Sequence, residues 1–224
     1  MNVLSQNVAL AASAPMVSEQ YDDARQQREA ATLGMWVFLA TEILFFGVLF
    51  ASYTILRVLY PQGFAVASRH TDMLFGTIET GVLLSSSCLI ALAVRAVKLD
   101  QHRVAVWLLS ATAMLGVTFL VMHGFEYYKE YTEHLIPGID FKQPAPRAHA
   151  VELFFCLYYC ITGFHSLHVT IGVIVIVVLA VRVKNATFGS QRYTYPELTA
   201  LYWHLVDIVW IFVYPLLYLV GRSG

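Results

Sequence analysis

The sequence predicts an all-α integral membrane protein, a bundle of five transmembrane helices, and three observations carry that prediction. Of 224 residues, 58% are hydrophobic and 13% charged, and mean hydropathy is +0.62. Soluble domains average about 45–50% apolar and about 25% charged. The apolar residues gather into five runs, each reaching the roughly 20 residues that a helix needs to cross hydrocarbon. The runs are continuous, unlike the alternating strands of an outer-membrane barrel. A formal net charge of −1 excludes the basic footprint of a nucleic-acid binder. The three cysteines, Cys88, Cys156 and Cys160, fall inside apolar runs, so no disulfide framework is expected.

Residues 1–30 read as a polar tail and 31–224 as the transmembrane domain. The opening MNVLSQNVALAASAPMVSEQ lacks a basic start and its apolar run is short, so it is expected to stay attached rather than be cleaved as a signal. Ser18 to Arg28 is polar and reads as a short exposed helix leading into the membrane. The spans follow at about Leu33–Leu59, Met73–Val97, Val104–Tyr127, Val151–Val183 and Leu198–Val220. Polar or Pro/Gly-bearing joints separate them: RVLYPQGFAVASRHTD, VKLDQHR, KEYTEHLIPGIDFKQPAPRAH and RVKNATFGSQRYTYPE. The fourth run would reach about 50 Å as a straight helix, against a hydrocarbon core of about 30 Å, so it must tilt or project. In the second span Gly76/Thr80 and Gly81/Ser85 are each four apart, a spacing that suits close helix contact.

Five crossings put the termini on opposite faces. One face takes Arg25, Arg28, Arg95, Lys98, Arg103, Arg182, Lys184 and Arg192, and the other takes Arg57, Arg69, Lys129, Lys142, Arg147 and Arg222. The first set sits in short loops beside helix ends, which favours a cytoplasmic N-terminus and an outer C-terminus.

Ionisable residues inside or at the ends of the spans are Glu42, Glu79, His123, Glu126, Glu152, His165, His168, His204 and Asp207. Such residues cost free energy in lipid and therefore face protein or water. Three pairs recur at a separation of three (His123/Glu126, His165/His168 and His204/Asp207), which places each pair on one helix face. An Asp near a His can hold the ring's tautomer, so His204 and Asp207 are expected to bond to each other, or to His165 or His168. Counting rise from the span starts puts Glu42 about 13 Å deep and His204 and Asp207 about 10–14 Å deep from the same side. Glu79, His123, Glu126 and Glu152 belong near the opposite surface. Two polar layers are expected, not one continuous path across.

His123, Glu126, His165, His168, His204 and Asp207 are therefore read as a structural polar network. Glu42, isolated among Trp36, Phe38, Phe45 and Phe46, is the candidate for a proton or oxygen path. No catalytic residue and no metal site are expected. His165 and His168 supply two ligands, which make no cage, and Cys156 and Cys160 in C-x-x-x-C spacing would need several more. Phosphate-binding, dinucleotide and nucleophile-elbow motifs are absent.

Four stretches resemble subunit III of the haem-copper respiratory oxidases, the cytochrome c and quinol oxidases. GMWVFLATEILFFGVLFASY is similar to the family's glutamate-bearing helix, at Glu42, and HGFEYYKE to its Glu-Tyr helix end, at Glu126 and Tyr127. TGFHSLHVTIG matches its G-F-H-x-L-H-V-x-x-G signature, at Gly163, Phe164, His165, His168 and Gly172. YWHLVDIVW matches its closing signature, at Tyr202, Trp203, His204, Asp207 and Trp210. The resemblance implies packing roles for Gly163, Gly172, Trp203 and Trp210. It implies an accessory, cofactor-free subunit that packs on subunit I in a bacterial plasma membrane, with haem and copper held by partner subunits. A role in oxygen or proton supply, protection against turnover inactivation, and a bound phospholipid are also compatible with it. Many members have seven helices, so this five-helix form resembles the shorter bacterial type, with the missing pair supplied by another chain. Competing readings are an accessory protein of a nitric oxide reductase, a stand-alone proton channel or transporter, and a haem-binding membrane anchor. An uninterrupted set of spans without internal repeats speaks against the transporter.

Overall fold

The computed structural model describes residues 23–69, 71–138, 148–185 and 193–219. The N-terminal tail up to residue 22 and the charges Lys142, Arg147, Arg192 and Arg222 lie outside them. Six α-helices follow in order: α1 Ala24–Leu59, α2 Pro61–Ala67, α3 Met73–Lys98, α4 His102–Thr132, α5 Ala148–Lys184 and α6 Thr194–Tyr214. All but α2 are long and apolar enough to cross a membrane. The chain is a multi-pass membrane protein.

Of the polar stretch Ser18 to Arg28, the described part from Ala24 onward belongs to the first span's own helix. Asp23 caps α1, its Oδ1 accepting the Gln26 amide at 2.6 Å, and the helix runs unbroken for 36 residues. At 1.5 Å per residue that is about 54 Å, so α1 extends beyond any hydrocarbon core, as does the 37-residue α5. α2 was read as part of a joint. Pro61 starts it, since a missing N–H costs nothing at a first helical position. α2 seats on α5 at Gly63, where a Cβ would come within 2.3 Å of the Ala150 Cβ. Phe64 fills the gap between Tyr53 and Phe154, with ring centroids 5.4 and 5.5 Å away.

Two helices close at their C-terminal ends without glycine. α3 and α4 end on residues in the left-handed region, Asp100 at φ 59° and His134 at φ 56°. In each, the next amide closes back on the helix: Gln101 onto the Ala96 carbonyl at 2.9 Å, Leu135 onto Glu130 at 3.1 Å.

Helices α3, α4, α5 and α6 pack in a closed ring, and α1 leans on its outside against α6 and α5. Only 11% of the most apolar stretch of α1 is buried, against 56% for α6. The bundle is thus four helices plus one. Its centre is aromatic, and Trp203 and Trp210 are fully enclosed. Trp203 fits because Gly116 and Gly172 leave room, since a Cβ on either would lie 2.8 or 2.7 Å from its ring. Gly76 plays the same part under Tyr214, at 2.8 Å. Gly81 and Gly163 do not. A Cβ on Gly81 meets nothing within 4 Å, and one on Gly163 meets only the Tyr127 hydroxyl at 3.8 Å. The three cysteines are free and lie on the outer, exposed surface.

α6 ends in a wide π turn, Pro215–Leu219. Pro215 brings no amide hydrogen, which loosens the ladder there. The Tyr53 hydroxyl donates to the Leu216 carbonyl at 2.6 Å, so α1 is bonded to α6 at the turn.

Candidate functional site

Two polar layers form inside the bundle, separated by rings. The first holds Glu42, His168, Tyr202, Ser87, His204 and Asp207. Glu42 is not isolated, because its Oε2 lies 2.9 Å from His168 Nε2 across the α1–α5 contact. Phe45 and Phe46 fold over the pair: Phe46 meets the His168 ring at 5.4 Å and Phe45 meets Phe164 at 5.1 Å. Trp36, in contrast, is exposed.

The hydrogen bonds fix a proton inventory here. His168 Nδ1 lies 2.7 Å from the Phe164 carbonyl oxygen, and a carbonyl only accepts, so Nδ1 carries a hydrogen. The contact between Nε2 and Glu42 then contains one proton, on the carboxyl or on the ring. Tyr202 donates to the His168 carbonyl at 3.0 Å and ties α6 to the same turn.

His204 and Asp207 do not bond to each other, nor to His165 or His168. His204 Nδ1 pairs with the Ser87 hydroxyl of α3 at 2.7 Å. Asp207 is buried and the Ser87 hydroxyl faces it, though neither carboxylate oxygen lies in hydrogen-bond geometry. His165 and His168 also part company. Three residues on one helix share a face only loosely, and here His168 turns out to α1. His165 turns into the core, stacked on Trp210 at 5.1 Å, with neither ring nitrogen bonded.

The slab between the layers is Phe119, Trp210 and the His165 ring. Phe119 meets Trp210 at 4.9 Å and His165 at 5.5 Å, both edge-on. The indole N–H groups are satisfied on α3, with Trp203 donating to Ser86 Oγ at 2.9 Å and Trp210 to Thr80 Oγ1 at 3.2 Å.

The second layer gathers Glu79 of α3, His123 and Glu126 of α4, and Tyr218 of the π turn. His123 Nδ1 lies 3.6 Å from both Glu79 Oε1 and Glu126 Oε2. Glu126 accepts the Tyr218 hydroxyl at 2.7 Å and the Asp72 amide at 3.4 Å. Tyr127 and Thr162 pair at 2.6 Å nearby. At the rim, Lys129 reaches Asp72 at 3.3 Å.

Sequence reasoning marked His123 and Glu126 but not Glu79 as their partner, and it missed Ser86, Ser87, Thr80 and Tyr218. The small hydroxyls of GTIETGVLLSSSC were read as close-packing residues; that run was the available signal.

His165 and His123 are enclosed by aromatic rings, while His168 and His204 are bonded to side chains. Among the described residues no thiolate joins a cluster of three metal-binding side chains.

A family model described as cytochrome c oxidase subunit III matches residues 18–222. The chain belongs to that family. Among its subunit III relatives, cytochrome c oxidase subunit 3 of Thermostichus vulcanus is 33% identical, over 90% of this chain and 92% of its own length. Probable quinol oxidase subunit 3 of Staphylococcus epidermidis is 27% identical over 89% and 94%. A third relative, haem-copper oxidase subunit I+III of Aeropyrum pernix, is 32% identical over 83% of this chain and 22% of its own. Subunit III membership fits five apolar helices with buried polar layers, as the four quoted signatures implied.

Proposed function

We propose that this chain is an accessory subunit of a haem-copper terminal oxidase, packing on subunit I and holding no haem or redox copper of its own. In that role it supports proton or oxygen supply and the lifetime of the complex during turnover. The observation that carries the reading is the Glu42–His168 contact, one proton held at 2.9 Å on the thinly covered helix α1. Intramembrane carboxylates default to functional roles, and this one shares its proton with a ring that can pass it on. Further support comes from the exposed apolar side of α1, with Leu33, Ile43, Leu44, Val48 and Val58 uncovered by this chain. The subunit I+III fusion of A. pernix, in which the matching segment is joined to subunit I, makes subunit I the natural neighbour. Relatives named for cytochrome c oxidase and for quinol oxidase are both represented.

Copurification in mild detergent followed by an optical spectrum tests assembly. Haem-copper oxidase bands are expected with the complex, and a haem band from this chain alone, or the metal centres of a nitric oxide reductase, would overturn the reading. Glu42→Gln tests the proton role, since Gln keeps a hydrogen-bonding group near His168 but cannot release the carboxyl proton. Slower proton uptake and a shorter inactivation lifetime are expected at unchanged complex yield.

A further inference from the structure

We propose that Glu79, His123 and Glu126 form a binding site for one divalent cation of the Zn2+ class. Each of the three offers a donor atom, and these atoms all lie within 4.8 Å of one another, all from buried residues. The His123 Nδ1 contacts of 3.6 Å to Glu79 Oε1 and Glu126 Oε2 are close to the donor separation of a tetrahedral site, about 3.4 Å for bonds of about 2.1 Å. A few tenths of an ångström would close the two His123 contacts, and the carboxylates of Glu79 and Glu126, within 4.8 Å of each other, would draw together around the ion.

The second observation is independent of the spacing. Glu79 is 0% exposed and neither oxygen is hydrogen-bonded, and His123, 2% exposed, has neither ring nitrogen hydrogen-bonded. The large majority of buried side-chain polar atoms are paired, so orphans aimed at one point ask for a partner. Among the described residues Glu126 is hydrogen-bonded only by neutral donors, the Tyr218 hydroxyl and the Asp72 amide. These bonds orient Glu126 as an outer shell should and leave its remaining lone pairs for an ion. A dication would offset both carboxylates at once.

The donor set chooses the class of ion. One imidazole and two carboxylates suit Zn2+, with Mn2+ or Co2+ as lesser fits. Ca2+ and Mg2+ prefer all-oxygen shells, and soft copper sites need sulfur. A water completes the shell. Asp72, the amide donor to Glu126, also lines a surface groove of about 530 Å³ together with Lys129. A closed-shell ion adds no redox centre. It would clamp α3 to α4 at the end where Tyr218 closes the bundle.

The site is built wholly by this chain, so its test does not depend on the oxidase reading. The full chain, with whatever subunits copurify, is stripped with chelator, reloaded with Zn2+, dialysed, and its metal counted by elemental analysis. The wild type should hold one zinc more than Glu79→Gln and one more than His123→Gln, while Tyr218→Phe keeps it. Zinc-edge X-ray absorption should show a single imidazole with oxygen donors. Equal zinc in wild type and Glu79→Gln would overturn the proposal, as would a shell with sulfur or two imidazoles. If the variants fail to fold, the wild-type absorption spectrum decides alone.

Discussion

Glycine positions give the sharpest test at the scale of single residues, because the two that the family signature pairs are not equivalent. Gly172 faces Trp203 with no room for a methyl group, whereas Gly163 faces open space short of Tyr127. Gly172→Ala should therefore destabilise by about 1–3 kcal/mol through overpacking. Gly163→Ala should be neutral, or stabilise by up to about 1 kcal/mol through helix propensity. Thermal midpoints of the purified protein in one detergent check both, and a Gly163→Ala loss as large as that of Gly172→Ala would sink the argument. The same contrast shows what the sequence could tell. It marked His123, Glu126, His165, His168, His204 and Asp207 as polar groups within the spans, but paired them by spacing along one helix. Real partners lie across helices: Ser87 for His204, 117 positions earlier, and Glu42 for His168, 126 positions earlier. Spacing along a helix says which residues share a turn. It cannot say which neighbouring helix the turn faces.

Among elements, α1 differs from the others in being bonded to the ring at few points. Glu42–His168 holds it in the first layer and Tyr53 to the Leu216 carbonyl holds it at the π turn. Interhelical hydrogen bonds in membranes average about 0.6 kcal/mol, so Tyr53→Phe should cost about that much. Its effect should be local, with faster hydrogen exchange at the end of α1 and unchanged exchange in α3, α4 and α5. Exchange mass spectrometry resolves this, and uniform acceleration would show α1 to be part of one cooperative unit. The five spans were legible because each long run of apolar residues is its own signal. α2 was not, since seven residues with a proline and a glycine have the composition of a turn. Its packing, Gly63 on Ala150 and Phe64 between Tyr53 and Phe154, is tertiary and leaves no mark in the local sequence.

At the largest scale the described residues form two polar layers in an apolar shell, and the flanking charge sets an expectation for orientation. Lys98 and Glu197, paired at 2.6 Å, lie at the end of α3 and the start of α6, on the face where α1 begins. We propose, from the short basic loops on that face and the positive-inside preference, that this face is cytoplasmic. A cysteine introduced at Pro137, in the turn after α4, should then react in intact cells with a maleimide that cannot cross the membrane. Labelling only after lysis would reverse the orientation and, with it, the side from which Glu42 would be supplied with protons.

Synthesis order gives the Glu42–His168 contact a further consequence. A ribosome adding about 5–20 residues per second takes roughly 6–25 s to travel the 126 positions between them. Throughout that interval α1 is already made, its carboxyl facing lipid or insertion machinery while the imidazole it will rest against has yet to be translated. Nascent chains stalled before His168 should therefore hold α1 loosely, and release of its grip on the insertion machinery should coincide with the arrival of α5.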